Sequence, residues 1–401
     1  MNTTTEKSLI KTKKTYQSDE TIIAHFGEDS QKYFGAMAPP IIQTSLFAYE
    51  NFDAFIRASM NERQHHLYTR GVNPTVEIFE KKLAALEHGE RCKCFSSGMG
   101  AISSIFFTFL KSGDHVLVVN NIYGPARNLL SYLEKFNISV TTVNENDLSV
   151  IEKAIQPNTK LMYLESPGTM NFKMLDLEKF AALAKRNNII TAIDNTWATP
   201  LFQKPLDFGI DISIHSCTKY IGGHSDVLAG AVISSDELID QIFEYAHQFN
   251  GSVLGPFEGW LLIRGLRSLP VRMKQHQENT QYVIDFLSTC DKVESINHPS
   301  LFTGKDKELV DKHLSGFSGL LSFELKNPSF EKVRTFIDQL QLFSIGVSWG
   351  GYESLVLSPN HGINEKDLEA ENISKGLIRL SIGLENYRDL IQDLAQAFNA
   401  I

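Results

Sequence analysis

A lysine among hydroxyl residues lies in the stretch 211–226, where an apolar strand pattern ends ahead of a glycine pair at 222–223. Ser216 and Thr218 precede Lys219, and no surface-helix pattern surrounds it. The pattern therefore indicates an interior position, where desolvation lowers the pKa of a lysine from its free value of about 10.4. A neutral lysine can form a Schiff base with a carbonyl compound. The alternative is a solvated loop lysine.

A carboxylate and a glycine-rich loop also occur where apolar strands end. Asp194 ends the apolar run 189–194, and a buried carboxylate needs a partner such as a protonated ring nitrogen or an arginine. The loop Ser96–Gly100 lies between a strand and a helix, where exposed backbone N–H groups suit a phosphate. A helix cap or ion pair is the alternative for Asp194, and an ordinary tight turn is the alternative for the loop.

One tyrosine and two arginines have side chains suited to a planar, anionic ligand. Tyr123 follows a strand and can stack on a planar ring or exchange a proton. Arg70 lies near a Gly-Asn-Pro turn, which suits a phosphate contact. Arg379 lies in an apolar strand pattern and needs an anion, which a substrate carboxylate would supply. The alternatives are a half-buried tyrosine, a solvated Arg70, and a structural pair between Arg379 and Glu353.

Short apolar strands alternate with helical patterns through the first two thirds of the chain. Such alternation predicts a mostly parallel α/β sheet covered by helices on both faces. Ligands bind beyond the carboxyl ends of strands in such a sheet, which is where Lys219, Asp194 and Tyr123 fall. The predicted strands are Cys92–Phe95, His115–Val119, Ile138–Val143, Lys160–Leu164, Ile189–Asp194, Asp211–His215 and Leu228–Ile233, with helices near 101–110, 124–136, 147–155 and 176–187.

The pattern of elements divides the chain into three parts. Residues 1–60 are predicted to form an N-terminal tail and an extended arm, with 1–16 loosely docked or disordered. Residues 61–255 are predicted to form the large α/β domain, and residues 256–401 a smaller α+β domain. The helices that mark these parts are predicted at 73–89, where Asn73 caps and Gly89 ends the helix, at 267–288 and at 387–400.

The composition and charge of the chain limit the kinds of molecule that we expect it to bind. The 401 residues are 42% hydrophobic and 21% charged, which is typical of a soluble globular protein. A net charge of −9 argues against nucleic acid or an anionic membrane as a partner. No apolar run is long enough to span a bilayer, and the N-terminus lacks a secretory pattern. The four cysteines have no disulfide or metal-site spacing, which fits a reducing cytoplasm and predicts no metal site.

Taken together, these motifs resemble the pyridoxal-phosphate (PLP) enzymes of cysteine and methionine metabolism, from about residue 21 to the end of the chain. The resemblance implies the type I fold of PLP-dependent transferases, which is aspartate aminotransferase-like, with PLP as cofactor. The motifs are Tyr-Thr-Arg-Gly-Val-Asn-Pro-Thr (68–75), Ser-Ser-Gly-Met (96–99), Tyr-Gly-Pro (123–125), Asp-Asn-Thr-Trp (194–197), His-Ser-Cys-Thr-Lys-Tyr (215–220), Gly-His-Ser-Asp (223–226) and Ile-Arg-Leu-Ser-Ile-Gly-Leu-Glu (378–385).

The resemblance also implies a role for each candidate residue. Lys219 would hold the cofactor aldehyde as a Schiff base and then act as the catalytic base and acid. Tyr123 would stack on the ring and assist at the amine, while Asp194 would keep the pyridine nitrogen protonated. The phosphate would be held by Gly98, Met99, Ser216 and Thr218. The substrate would be bound by Ser348, Trp349 and Arg379.

An oligomer is part of the same resemblance. Tyr68 and Arg70 would reach the phosphate of a neighbouring subunit, and the arm within 1–60 would contact that subunit. The active unit would then be at least a homodimer. Two such dimers usually form a homotetramer in this family.

Within the family, the segment Ser-Trp-Gly-Gly-Tyr-Glu-Ser-Leu (348–355) resembles bacterial cystathionine β-lyases. Methionine γ-lyases usually carry a cysteine two residues after the ring-stacking tyrosine, and that position is Pro125 here. The resemblance therefore implies β-elimination of L-cystathionine to homocysteine, pyruvate and ammonia, within methionine biosynthesis. The segment 68–75 resembles γ-acting members at least as much, so cystathionine γ-synthase or γ-lyase activity is the alternative. A catalytically silent PLP-binding regulator is a further alternative of a different class.

Overall fold

The computed structural model describes residues 18–145, 147–370 and 373–401, so the predicted tail at 1–16 lies outside the described residues. A seven-stranded sheet forms the centre of the larger part, with strand order β1-β7-β6-β5-β4-β2-β3. Its strands are β1 (Arg91–Phe95), β2 (His115–Val119), β3 (Ser139–Val143), β4 (Thr159–Glu165), β5 (Ile190–Asp194), β6 (Ile212–His215) and β7 (Gly230–Ser234).

Five neighbouring strands of this sheet, β3, β2, β4, β5 and β6, run parallel to one another. Strand β7 is antiparallel to both β6 and β1, which makes the sheet mixed at one edge. The side chains of β2 and β7 are buried throughout, as expected for strands covered on both faces. The predicted α/β class with a mostly parallel sheet is therefore confirmed.

Helices cover the two faces of the sheet and bury separate apolar clusters. One face packs against α4, α5 and α9, and the other against α3, α6, α7 and α11. These helices and their neighbours are α1 (Asp19–His25), α2 (Phe52–Ser59), α3 (Pro74–Leu86), α4 (Gly98–Phe109), α5 (Gly124–Leu133), α6 (Leu148–Ala154), α7 (Leu177–Arg186), α8 (Thr199–Phe202), α9 (Asp236–Ile242), α10 (Gln248–Asn250) and α11 (Pro256–Thr289).

The long helix α11 begins earlier than the pattern predicted. It starts at Pro256, where proline suits a first turn, and continues through Pro270 to Thr289. The prediction of 267–288 was wrong at its start, because Gly259, Gly265 and Pro270 weaken the helical signal that packing restores. Leu262 and Leu266 enter the core beside α3. No described helix, α11 included, has the length and apolarity needed to cross a membrane.

A second, five-stranded sheet follows α11, with strand order β10-β11-β12-β9-β8. The C-terminal half of α11 packs on this sheet through Val283, Ile284 and Leu287, so one helix contributes to both cores. The division at 255/256 stays a prediction. The elements are β8 (Val293–Asn297), β9 (Leu320–Leu325), β10 (Ser344–Ile345), β11 (Leu355–Leu357), β12 (Leu377–Ser381), α12 (Gly304–His313), α13 (Phe330–Gln339), α14 (Glu365–Ala370) and α15 (Tyr387–Asn399).

The segment predicted as an extended arm contains two helices among its described residues. Helix α1 docks on its own chain, since Ile22 and Ile23 are buried and Lys82 Nζ donates to Ile23 O at 2.8 Å. Lys82 Nζ also lies 3.0 Å from Glu28 Oε1, which balances the charge of the fully buried ammonium. The arm is therefore less extended than predicted, and its contact with a neighbouring subunit stays a prediction.

Candidate active site

The candidate residues of the sheet come from the carboxyl ends of adjacent strands. Lys219 lies four residues after the end of β6, and its Nζ is 3.5 Å from Ser216 Oγ. The ammonium also lies 5.7 Å from the centroid of the Trp349 ring. Burial lowers the pKa of Lys219, and the charge of Arg379 adds to this while Asp194 opposes it. The structure thus places Lys219 as an interior lysine, and the alternative of a solvated loop residue does not fit.

Asp194 is the last residue of β5, and its carboxylate is held by the turn that follows the strand. Its Oδ1 accepts hydrogen bonds from the N–H and the hydroxyl of Thr196, at 3.0 and 2.5 Å. The Thr196 hydroxyl in turn accepts the N–H of Ser216 at 2.8 Å, which ties the ends of β5 and β6 together. Burial raises the pKa of Asp194, while Thr196 and the charges of His215 and Lys219 oppose that shift.

Gly98 and Met99 at the start of α4 lie beside Ser216 in the loop after β6, and together they form what we call the glycine cradle. Ser97 caps α4 by accepting the N–H of Gly100 at 3.0 Å, so Gly98 and Met99 occupy the first turn, whose N–H groups have no acceptor within the helix. A Cβ added at Gly98 would come within 3.0 Å of Ser216 Oγ. The cradle therefore brings a helix N-terminus beside Ser216, an arrangement that suits an anion.

Tyr123 sits at the start of α5 with its side chain half-exposed. Burial raises the pKa of its hydroxyl, the charge of Asp194 acts in the same direction, and that of Arg379 opposes both. Its backbone N–H donates to Glu165 Oε2 at 2.8 Å. The ring is thus available to a ligand while its backbone is fixed.

Arg379 lies in β12, so the smaller sheet also contributes a residue to the site. Its Nη2 donates to Ser348 O at 2.9 Å, and burial lowers its pKa to about 10. Among the described residues Arg379 forms no ion pair with Glu353, whose Oε1 accepts the hydroxyl of Ser225 at 2.5 Å. Beside Arg379, Trp349 packs against Tyr220, with ring centroids 5.4 Å apart.

Three predicted phosphate ligands have contacts of a different kind. Arg70 lies over the ring of Tyr68, 5.3 Å from its centroid, and its Nε donates to Gln248 Oε1 at 2.9 Å. These contacts do not join Tyr68 and Arg70 to the residues around Lys219. The Thr218 hydroxyl donates to Ala229 O at 3.3 Å and accepts the Ala229 N–H at 3.0 Å, so it is engaged within the chain. The roles of these residues stay predictions.

Two buried carboxylates at the site were missed by the sequence reasoning. Glu165 ends β4, next to Asp194, and the signal was present, because an acidic residue closes an apolar strand at both positions. Glu87 follows α3 and accepts from the side chains of Ser213 and Asn195 as well as His215. It lay inside a predicted helix pattern, where a glutamate is unremarkable.

The side chains at the site fit pyridoxal phosphate. The cradle at Gly98 offers N–H groups to a phosphate, and Asp194 offers a buried carboxylate to a protonated ring nitrogen. Lys219 offers an amine whose pKa is lowered, as a Schiff base with an aldehyde requires. Lys219 and Asp194 are joined through Ser216 and Thr196, so the groups that contact one small ring compound form a single constellation.

Comparisons with known proteins agree with pyridoxal phosphate as the cofactor. An L-methionine gamma-lyase of Fusobacterium nucleatum subsp. nucleatum is 41% identical over 92% of this chain and 95% of its own. A cystathionine beta-lyase of Lactococcus lactis subsp. cremoris is 35% identical over 95% and 98%. The crystal structure of a cystathionine gamma-lyase from Lactobacillus plantarum, complexed with L-serine, matches with TM-score 0.88 and 34% identity over 96% and 99%. The family model for Cys/Met metabolism PLP-dependent enzymes matches residues 20–399, and the chain belongs to that family.

Proposed function

We propose that this PLP-dependent enzyme is a carbon–sulfur lyase that carries out β-elimination on L-cystathionine and related cysteine thioethers. The products would be a thiol, pyruvate and ammonia, and the thiol from cystathionine would be homocysteine. The choice of β-elimination is supported by the segment 348–355, which resembles bacterial cystathionine β-lyases and places Trp349 beside Lys219 Nζ.

Lys219 is the residue proposed to move the proton. When bound, pyridoxal phosphate supplies an electron sink for the charge that remains at Cα after the proton leaves. Because the pKa of Lys219 is lowered by burial, its amine can accept the Cα proton and then deliver it to the departing sulfur. Asp194 provides the negative charge that faces the ring nitrogen, and Tyr123 assists at the substrate amine.

Arg379 and Ser348 are proposed to orient the substrate carboxylate. The guanidinium already donates to the Ser348 carbonyl, which fixes its plane, and its remaining N–H groups can form two parallel bonds to a carboxylate. Ser348 has φ of 77°, in the left-handed region, which places it on a sharp turn before Trp349. Carboxylate binding at this point would set the Cα–H bond toward the lysine.

Trp349 supports β-elimination because it limits the space around the amine. In β-elimination the proton moves between Cα and a sulfur on the adjacent carbon, which is one short transfer. γ-Elimination also requires a proton to leave Cβ, so the base must reach both Cα and Cβ of the substrate. The indole lies 5.7 Å from Lys219 Nζ and is packed against Tyr220, and we expect it to limit how far the lysine can move.

γ-Elimination of L-methionine or L-cystathionine is the second candidate function. It is supported by the names of the relatives at 41% and 34% identity, a methionine gamma-lyase and a cystathionine gamma-lyase. Pro125, in the first turn of α5, stands where methionine γ-lyases usually carry a thiol, which weighs against the first of these.

Product analysis separates the two candidates. We expect the enzyme loaded with pyridoxal phosphate to convert L-cystathionine into pyruvate and homocysteine, and to release no methanethiol from L-methionine, whose sulfur is bonded to Cγ. Keto acids are identified by chromatography after derivatisation, and thiols by mass spectrometry. 2-Oxobutyrate from either substrate would contradict β-elimination and support the second candidate. Enzyme without cofactor is the control.

Substitution of Arg379 by lysine tests carboxylate binding. A lysine keeps the charge but loses the planar fork, so we expect KM to rise about 10- to 100-fold, the equivalent of a charged hydrogen bond of about 1.5–3 kcal/mol. The fall in kcat should be smaller. Arg388→Lys, on the exposed face of α15, is the matched control. An unchanged KM in Arg379→Lys would remove Arg379 from substrate binding.

A homotetramer, built as a dimer of dimers, is also proposed. It is supported by large apolar side chains of the arm that are fully or mostly exposed in the single chain, among them Phe34, Met37, Phe52 and Met60. In such an assembly Tyr68 and Arg70, whose described contacts are with each other and with Gln248, would complete the phosphate site of the neighbouring subunit.

A further inference from the structure

Glu165 and Asp194 lie side by side at the ends of two parallel strands. The two residues pair in register between β4 and β5, so their side chains point to the same face of the sheet. Each is 9% exposed. Burying two neighbouring acidic groups costs free energy, so the contacts that offset this cost must be identified.

Both oxygens of the Glu165 carboxyl have partners, and these belong to the loops around the candidate cofactor ring. Oε2 accepts the backbone N–H of Tyr123 at 2.8 Å, and Oε1 forms a short hydrogen bond with the hydroxyl of Thr169. The Glu165 carbonyl accepts from Asn120 Nδ2 at 2.8 Å. Glu165 therefore fixes the backbone of Tyr123, whose ring is the predicted stacking surface.

Two buried carboxyls at paired positions of adjacent strands repel each other when both are ionised, which favours a proton on one of them. Asp194 is better suited to keep the charge, because it accepts from both the N–H and the hydroxyl of Thr196 and feels the charges of His215 and Lys219. The Thr196 hydroxyl already accepts the N–H of Ser216, which leaves its proton for Asp194, whereas the Thr169 hydroxyl at Glu165 can accept a proton as readily as donate one.

The groups that face Glu165 from neighbouring elements support the same assignment. Burial raises the pKa of Glu165 to about 8, and the charge of Asp194 acts in the same direction. The Tyr163 hydroxyl, whose pKa burial raises well above its usual value, stays neutral on the same face. Lys219 and His215 act to lower the pKa of Asp194, and Arg379 acts to lower that of the Tyr123 hydroxyl.

We propose that Glu165 is a positioning residue that works as a neutral carboxylic acid: it fixes the backbone of Tyr123 and leaves Asp194 as the single negative charge that faces the cofactor ring. The inference rests on the cofactor site alone and is independent of whether the bond to Cβ or to Cγ is broken. A carboxylate at both positions would add a second charge beside one ring nitrogen. A protonated Glu165 supplies the hydrogen bonds without that charge.

The proposal predicts a specific dependence of stability on pH. A carboxyl whose pKa is higher in the folded than in the unfolded protein stabilises the fold fully below the unfolded value of 4.5, and the stabilisation is lost as pH rises toward about 8. Glutamine reproduces the shape of the neutral acid but cannot ionise. The free energy of unfolding of the cofactor-free protein should therefore fall less steeply from pH 4.5 to 8 in Glu165→Gln than in the wild type.

Glu165→Gln, Glu165→Ala and Asp194→Asn together test the proposal through cofactor affinity, measured by titration with pyridoxal phosphate at pH 7. We expect Glu165→Gln to bind with wild-type affinity, while Asp194→Asn, which removes the charge opposite the ring nitrogen, binds at least about tenfold more weakly. Glu165→Ala should also bind more weakly, because Tyr123 loses its backbone partner. Infrared difference spectra, wild type minus Glu165→Gln, should show the carbonyl band of a protonated carboxyl at pH 7.

Three results would overturn the proposal. If Glu165→Gln lost affinity to the same extent as Asp194→Asn, or if the infrared difference showed carboxylate bands at pH 7, Glu165 would be an anion. If Glu165→Ala bound the cofactor like the wild type, Glu165 would not position Tyr123. Because these readouts use the cofactor and the folded protein, they remain informative even if product analysis were to show γ-elimination.

Discussion

Lys219→Ala is expected to remove the visible absorbance of the cofactor-loaded protein and to lower turnover of L-cystathionine by roughly a thousandfold or more, because the same amine is proposed as base and acid. Its buried position near Ser216 and Trp349 leaves no other amine among its described contacts. The measurements are an absorbance spectrum after reconstitution and the rate of keto-acid release.

The matched control for this prediction is Lys307→Ala, which removes an exposed lysine of α12 that pairs with Asp311. It should keep both absorbance and turnover. Circular dichroism of Lys219→Ala should match the wild type, because loss of one partly buried amine without a close ion pair leaves the sheet intact. Turnover retained in Lys219→Ala would exclude the proposed role of the lysine, whatever the product.

The strands of the large sheet were predictable because most are short, largely apolar runs, and the more polar β3 is rich in β-branched valine and threonine. All seven predicted strands lie within two residues of β1 to β7 at each end. Strand order was not predictable, since β7 is separated from β1 by more than 130 residues and pairs with it through tertiary packing. Of the smaller sheet only β12 was anticipated, as the apolar strand pattern around Arg379, while β10 and β11 are only two and three residues long.

The positions of Lys219, Asp194 and Tyr123 were predictable for a related reason. Parallel strands bring their carboxyl ends to one edge, so residues that follow three such strands must meet there. Arg379 was identified as a buried arginine, but its bond to Ser348 depends on how the smaller sheet packs against the larger, which local patterns do not encode.

The residues that were missed are those whose partners lie far away in sequence. Glu87 contacts Asn195, Ser213 and His215, all more than 100 residues away, and nothing near it in the sequence distinguishes it from a surface glutamate. Glu165 could have been found, because it ends an apolar strand just as Asp194 does. An acidic residue that closes a buried strand in a parallel sheet is therefore a useful signal even without a motif.

Glu87 gives the largest predicted effect on stability. Its side chain and that of His215 are both fully buried, with Oε1 3.2 Å from Nε2, and Asn195 Nδ2 donates to the same oxygen at 2.9 Å. This cluster ties α3 to the ends of β5 and β6. We expect Glu87→Ala to lower the free energy of unfolding by about 3–5 kcal/mol, because it leaves buried donors without an acceptor.

The pH dependence of the stability lost in Glu87→Ala shows whether charge interactions or packing account for the loss. Burial acts to raise the pKa of Glu87, but the charge of His215 and the hydrogen bonds outweigh burial, so the pKa is lowered from 4.5. A lowered pKa stabilises the fold above the unfolded value and less as pH falls below it. The difference between wild type and Glu87→Ala in urea unfolding should therefore be full at pH 7 and narrow below pH 4.5.

Glu294→Ala, at an exposed position of β8, should change stability by less than about 0.5 kcal/mol. A Glu87→Ala deficit that did not change with pH would mean that lost packing, rather than charge, accounts for it.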